Sequence, residues 1–134
     1  GLAGLRIGFS VSSAEVAHTV RQFSLPFTVT NLAGRAAMAS MLAEDELAAR
    51  VDLTTRERGR VTRELEHQGW RVAESQANFL WLDTRGDTAR VAEQLRDSAI
   101  MTRWWEGEGI RMSLGTPRDN DTVISALAEI HDRL

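Results

Sequence analysis

The run Ile110-Arg111-Met112-Ser113-Leu114-Gly115-Thr116-Pro117-Arg118-Asp119 passes from one kind of secondary structure to another within ten residues. Ile110–Leu114 alternates as a strand does. Thr116 then supplies a helix cap, Pro117 a first helical position and Asp119 an acid in the first turn. Val123, Ile124, Leu127, Ile130 and Leu134 form a single apolar stripe along the helix so opened. Working backward, Gly107-Glu108-Gly109 turns the chain out of a strand over Ile100–Trp104. Before it, Arg85-Gly86-Asp87 is a turn, and Asp87 or Thr88 caps a helix to about Ser98 with Val91, Leu95 and Ala99 facing the core. Trp70–Ala73 and Asn78–Leu82 read as two more strands. Residues 70–134 are therefore predicted as β-β-α-β-β-α, a small antiparallel or mixed sheet with helices on one face. The fold class is α/β, in its α+β form.

The texture upstream differs. Ile7–Val11 alternates apolar and small residues and predicts a short strand. Ser12 with Glu15 fits a capping box for a helix from near Ser13 to about Phe23. Pro26 enforces an extended link, and Thr30 or Asn31 caps a helix over Leu32–Leu42. That helix has no polar face and is expected to be buried. Glu44–Gln68 is charged nearly all round, with a thin apolar stripe through Leu47, Val51, Val61 and Leu65, and Gly69 supplies its left-handed stop. The expected division is residues 1–43 as the edge of a larger domain, 44–68 as a connecting helix and 69–134 as a small domain.

Composition narrows the function. At 134 residues the chain is large enough for a real core. Its net charge of -3 gives no reason to expect nucleic acid or an anionic membrane as partner. No apolar run approaches the roughly 20 residues that span a bilayer, and Gly1–Val11 has no secretory character, so cytoplasm is the expected location. There is no cysteine, and His18, His67 and His131 are dispersed on helix surfaces, so no metal site is expected. Sixteen arginines stand beside no lysine. A compositional preference for arginine is the simplest cause; whatever the cause, this stretch offers no lysine amine for covalent catalysis.

Gly1-Leu2-Ala3-Gly4-Leu5-Arg6-Ile7-Gly8 places three glycines around one arginine. Glycine lets backbone approach a ligand closely and the guanidinium fork suits phosphate, yet the same pattern also serves a plain turn. The block resembles the one just downstream of the catalytic lysine in pyridoxal-phosphate aminotransferases of fold type I, within the histidinol-phosphate and aromatic amino acid group. Leu25-Pro26-Phe27-Thr28-Val29, Ser75-Gln76-Ala77-Asn78-Phe79 and Ile110-Arg111-Met112-Ser113-Leu114-Gly115-Thr116-Pro117 with Asn120-Asp121 resemble further family blocks, in order.

The resemblance implies a C-terminal portion, with the Schiff-base lysine a few residues before Gly1 and no activity in this stretch alone. It implies pyridoxal 5'-phosphate as cofactor, amino acid and 2-oxo acid as small-molecule partners, and a homodimer. Arg6 matches the arginine on the cofactor phosphate, and Arg111 the one on the substrate α-carboxylate. Asn78 and Phe79 match positions near the substrate pocket, Phe79 being equally readable as a core aromatic. Arg103 matches a position that holds the substrate phosphate in the histidinol-phosphate enzymes, and is otherwise a surface strand arginine. The short hairpin Trp104-Trp105-Glu106-Gly107-Glu108-Gly109 favours an aromatic amino acid. Two tryptophans can wall an aromatic side chain or simply pack the hairpin, and Glu106 and Glu108 repel a phosphate. Histidinol phosphate is the alternative substrate. A decarboxylase of the same fold, and a non-catalytic interaction domain derived from it, are the other readings.

Overall fold

The computed structural model describes residues 2–134, in two compact units, one ending at Ala49 and one running from Arg50 to Leu134. In the first unit a short 3-10 turn, Ala3–Leu5, precedes α1 (Ala14–Gln22) and α2 (Asn31–Leu42). Both helices begin where a side-chain oxygen takes up a free amide. Ser13 Oγ accepts from Val16 N at 3.4 Å and Thr30 Oγ1 from Ala33 N at 3.1 Å. The cap of α1 is thus Ser13, one residue later than the Ser12–Glu15 spacing predicts.

Two expectations fail in this unit. Ile7–Val11 forms no strand, because a strand requires a ladder partner and none pairs with it among the described residues. The α2 helix buries only Ala33, while Leu32, Met38, Met41 and Leu42 are exposed. Its apolar composition is real, but nothing among the described residues of the unit covers it.

A 24-residue helix, α3 (Glu44–His67), crosses from the first unit into the second. It stops at Gly69, whose φ of +95° permits the reversal in which Trp70 N donates to Leu65 O and Gly69 N to Glu66 O. Then follow β1 (Phe79–Leu82), α4 (Thr88–Asp97), β2 (Arg103–Trp105), β3 (Gly109–Ser113) and α5 (Pro117–His131). The three strands form one antiparallel sheet in the order β1-β3-β2. The expected fourth strand, Trp70–Ala73, reduces to a single bridge from Val72 to Leu82.

One sheet face carries Leu80, Leu82, Ile110 and Met112 into a core completed by Val61 and Leu65 of α3, Val91 and Leu95 of α4, and Leu127 and Ile130 of α5. Each such side chain contributes about 1.5–3 kcal/mol on burial. Ala92 joins that core, whereas Ala99, expected there, is exposed. With φ at +59°, Ala99 is the left-handed stop of α4, and Ile100 N reaches back to Leu95 O. The opening of α5 follows the sequence fully. Thr116 Oγ1 accepts from Asp119 N, and Asp119 Oδ2 accepts from Thr116 N at 3.0 Å.

Candidate functional site

Strand register decides which predicted site residues meet. Arg111 stands opposite Trp81 on one side and Arg103 on the other, and Phe79 opposite Ser113. Successive strand residues alternate between faces. Phe79, Trp81, Arg103, Trp105 and Arg111 therefore share the face turned away from the core. Asn78 immediately precedes β1, is exposed, and accepts Leu114 N on its carbonyl at 2.9 Å.

On this face the Arg111 guanidinium lies over the Phe79 ring, 4.1 Å from the centroid. Such stacking favours the cation by about 0.5–1 kcal/mol at exposed sites and more where water is excluded. Phe79 is thus half-buried beneath a cation rather than part of the core cluster. Arg111 Nε is buried and has no hydrogen-bond partner among the described residues. Neither Arg111 nor Arg103 forms an ion pair among them. Like charges directly opposite across strands are unfavourable. Arg103 and Arg111, at one register position and without a carboxylate partner among the described residues, leave several donors for an anion.

The tryptophans divide. Trp105 is on the face of Arg111, and its ring centroid lies 5.5 Å from that of Trp81. Trp104 is opposite Ile110 on the other face. The two hairpin tryptophans therefore cannot wall one ligand together. Trp81, absent from the sequence-derived site, takes the second place. Its indole crosses Gly109, where a Cβ would sit 2.8 Å from Trp81 ring carbons and 2.3 Å from Leu82 O. Glycine at 109 is what lets this ring lie flat. The alternation Phe79-Leu80-Trp81 was the available signal for Trp81.

Arg6 belongs to the first unit. It is exposed, closes the 3-10 turn in a left-handed conformation (φ +55°), and its Nη1 donates to Ala3 O at 3.3 Å. Gly4 and Gly8 face open space. The remaining donors of this fork and the bare backbone beside it suit a phosphate. A mostly apolar hollow of about 450 Å³ in the same unit, lined by Leu2, Ile7, Gly8, Phe9, Ala37, Ser40, Met41, Glu44 and Leu47, has no arginine in its lining.

The second unit also holds a buried charge that no sequence signal singled out. Glu57 on α3 is only 7% exposed and pairs with Arg60 through two hydrogen bonds of 3.0 and 2.8 Å. Asn120 Nδ2 donates to the same carboxylate at 2.8 Å. The Arg60 and Asn120 hydrogen bonds hold the Glu57 carboxyl below its usual pKa.

The model of the family described as aminotransferase class I and II matches residues 1–127. The chain belongs to that family. It is 50% identical over 129 residues to an aromatic amino acid aminotransferase of Cutibacterium acnes, covering 96% of this chain and 37% of the relative. The aromatic amino acid aminotransferase of Streptomyces coelicolor is 41% identical over 134 residues, 100% of this chain and 37% of its own length. This member of the family thus spans little more than a third of these relatives. Its fold matches the histidinol-phosphate aminotransferase of Sinorhizobium meliloti, solved in complex with pyridoxal-5'-phosphate, at a TM-score of 0.80 and 23% identity. That match covers 99% of this chain and 38% of the other. No helix among the described residues is long and apolar enough to cross a membrane.

Proposed function

We propose that the complete protein is a pyridoxal-phosphate-dependent aminotransferase that moves an amino group between an aromatic amino acid and a 2-oxo acid. The observation that carries this is the open sheet face, where an unpaired Arg111 is stacked on Phe79 beside the Trp81–Trp105 pair. The names of relatives at 40–50% identity support the same choice. Arg111 takes the substrate α-carboxylate through two parallel N–H donors, a geometry lysine does not offer. The tryptophans give an aromatic side chain a flat apolar neighbour, and Phe79 with Asn78 borders the same place.

Arg6 binds the cofactor phosphate. When bound, the cofactor supplies an electron sink for carbon chemistry. The lysine amine that the reaction also requires is not among these 134 residues. In this reading residues 1–43 are part of the large cofactor-binding domain, 44–68 the connecting helix and 69–134 the small domain, in a cytoplasmic homodimer.

Histidinol phosphate is the second reading, favoured by one observation. Arg103 stands directly opposite Arg111, where a second anionic group of a substrate would meet it. Glu106 and Glu108 in the adjoining turn weigh against a phosphate. Absorbance of the holoenzyme's bound cofactor separates the two. Phenylalanine is expected to change the spectrum faster than histidinol phosphate; the reverse order would move the assignment to the second substrate.

A further inference from the structure

The aim of Arg111 is set by its strand. Its guanidinium rests on a ring, and no carboxylate or carbonyl among the described residues orients it. What fixes the end of β3 therefore fixes the substrate-facing donors. Gly115 follows two residues after β3, and both of its peptide groups are held by one side chain. Asn120 Oδ1 accepts from Gly115 N at 2.9 Å, and Asn120 Nδ2 donates to Gly115 O at 3.3 Å. Asn120 is itself buried and anchored on Glu57 of α3. Arg60 braces the pair, reaching Asp121 at 2.8 Å and Pro117 O at 3.4 Å.

The neighbouring helix residue holds the other strand. Arg58 donates to Ala77 O at 3.0 Å, two residues before Phe79. Phe79 and Ser113 are paired at this end of the sheet, the end where Arg111 and Phe79 stack. Two consecutive residues of α3 thus hold the entry to β1 and the exit from β3. A buried carboxylate is costly unless paired, and the partners of this one, Arg60 and Asn120, lead on to the junction of β3 and α5.

We propose that Glu57 and Asn120 are positioning residues for substrate binding, holding the Gly115 peptide and through it the register and reach of Arg111. This rests on the reading of Arg111 as the carboxylate-binding residue. Three of the carboxylate's four acceptor sites take Arg60 and Asn120, and the Asn120 amide passes the constraint on to Gly115. A displacement of the guanidinium by even a fraction of an ångström weakens a bidentate contact that needs both donors aligned.

The test uses the holoenzyme, with KM and kcat for phenylalanine, competition by 3-phenylpropionate, and cofactor affinity measured for each variant. Asn120→Ala is expected to raise KM and the inhibition constant together by about tenfold, with kcat within about twofold and cofactor affinity unchanged. In an Arg111→Ala background the same change should add less than about twofold, since the group it positions is gone. Gln68→Ala, which removes a hydrogen bond to Ile124 O of α5 from just past the end of α3, should leave KM unchanged.

Asn120→Asp alone sets two carboxylates against one another; adding Glu57→Gln restores a donor–acceptor pair at that contact, though not the bond to Gly115 O, and should recover part of the KM loss. If Arg111→Ala leaves KM unchanged, the carboxylate reading falls and the positioning role with it. If Arg111→Ala raises KM but Asn120→Ala acts additively, or equally with Gln68→Ala, or the double exchange recovers none of the KM loss, the positioning role alone is overturned.

Discussion

The first unit, ending at Ala49, and the second, beginning at Arg50, have helices of similar local quality and very different interiors. Both start helices with side-chain caps, at Ser13 and Thr30 in one and at Thr116 in the other. Yet among its described residues the first unit buries one apolar side chain, Ala33, and leaves Phe27 fully exposed and Leu42 86% exposed. The second assembles a cluster of twelve buried side chains. Caps are satisfied within four residues of chain, whereas a core needs distant partners. Good local signals therefore do not imply a covered helix.

This contrast can be broken most severely in the core. Leu127→Ala should cost about 3 kcal/mol in denaturant unfolding of the second unit, because Leu127 is fully buried. Leu42→Ala should change stability by less than about 0.5 kcal/mol in this chain. Comparable losses at both positions would mean that the first unit has a core of its own.

Glycines sharpen the same comparison. Gly109→Ala places a methyl 2.3 Å from Leu82 O and should destabilise by about 2 kcal/mol, seen as a lower unfolding midpoint and a changed Trp81 fluorescence. Gly34→Ala in α2 meets nothing within 4 Å and should stabilise that helix by up to about 1 kcal/mol, read by amide exchange. Ala99→Gly relieves a left-handed residue at the end of α4 and should gain roughly 1 kcal/mol.

The smallest effect is electrostatic. Glu57 has a carboxyl pKa below its ordinary 4.5 in the folded protein, so its contribution is present above about 4.5 and lost as pH falls through the folded value. Stability measured against pH should decline on that acid side, and less steeply in Glu57→Gln. An identical slope in both would remove Glu57 from the account.

Much of the second unit was legible because its signals are short-range. The Thr116-Pro117-Asp119 opening, the Gly69 stop and the alternation of β3 each declare themselves within five residues. Ile7–Val11 and Trp70–Ala73 had equally good alternation, but a strand exists only with its ladder, and pairing is not written in the segment itself. Strand alternation also placed Arg103 and Arg111 on one face once the register was known. Trp104 and Trp105 illustrate the limit, since adjacency in sequence put them on opposite faces. Glu57 was illegible: α3 carries charge almost all round, and only its three-residue spacing to Arg60 distinguishes it.

The most direct test concerns the open face of the sheet. Arg111→Leu in the holoenzyme should weaken 3-phenylpropionate binding by about tenfold to a hundredfold, the loss of charge-assisted hydrogen bonds, while cofactor affinity stays unchanged. Undiminished binding of that carboxylate would contradict the assignment of this face to the substrate.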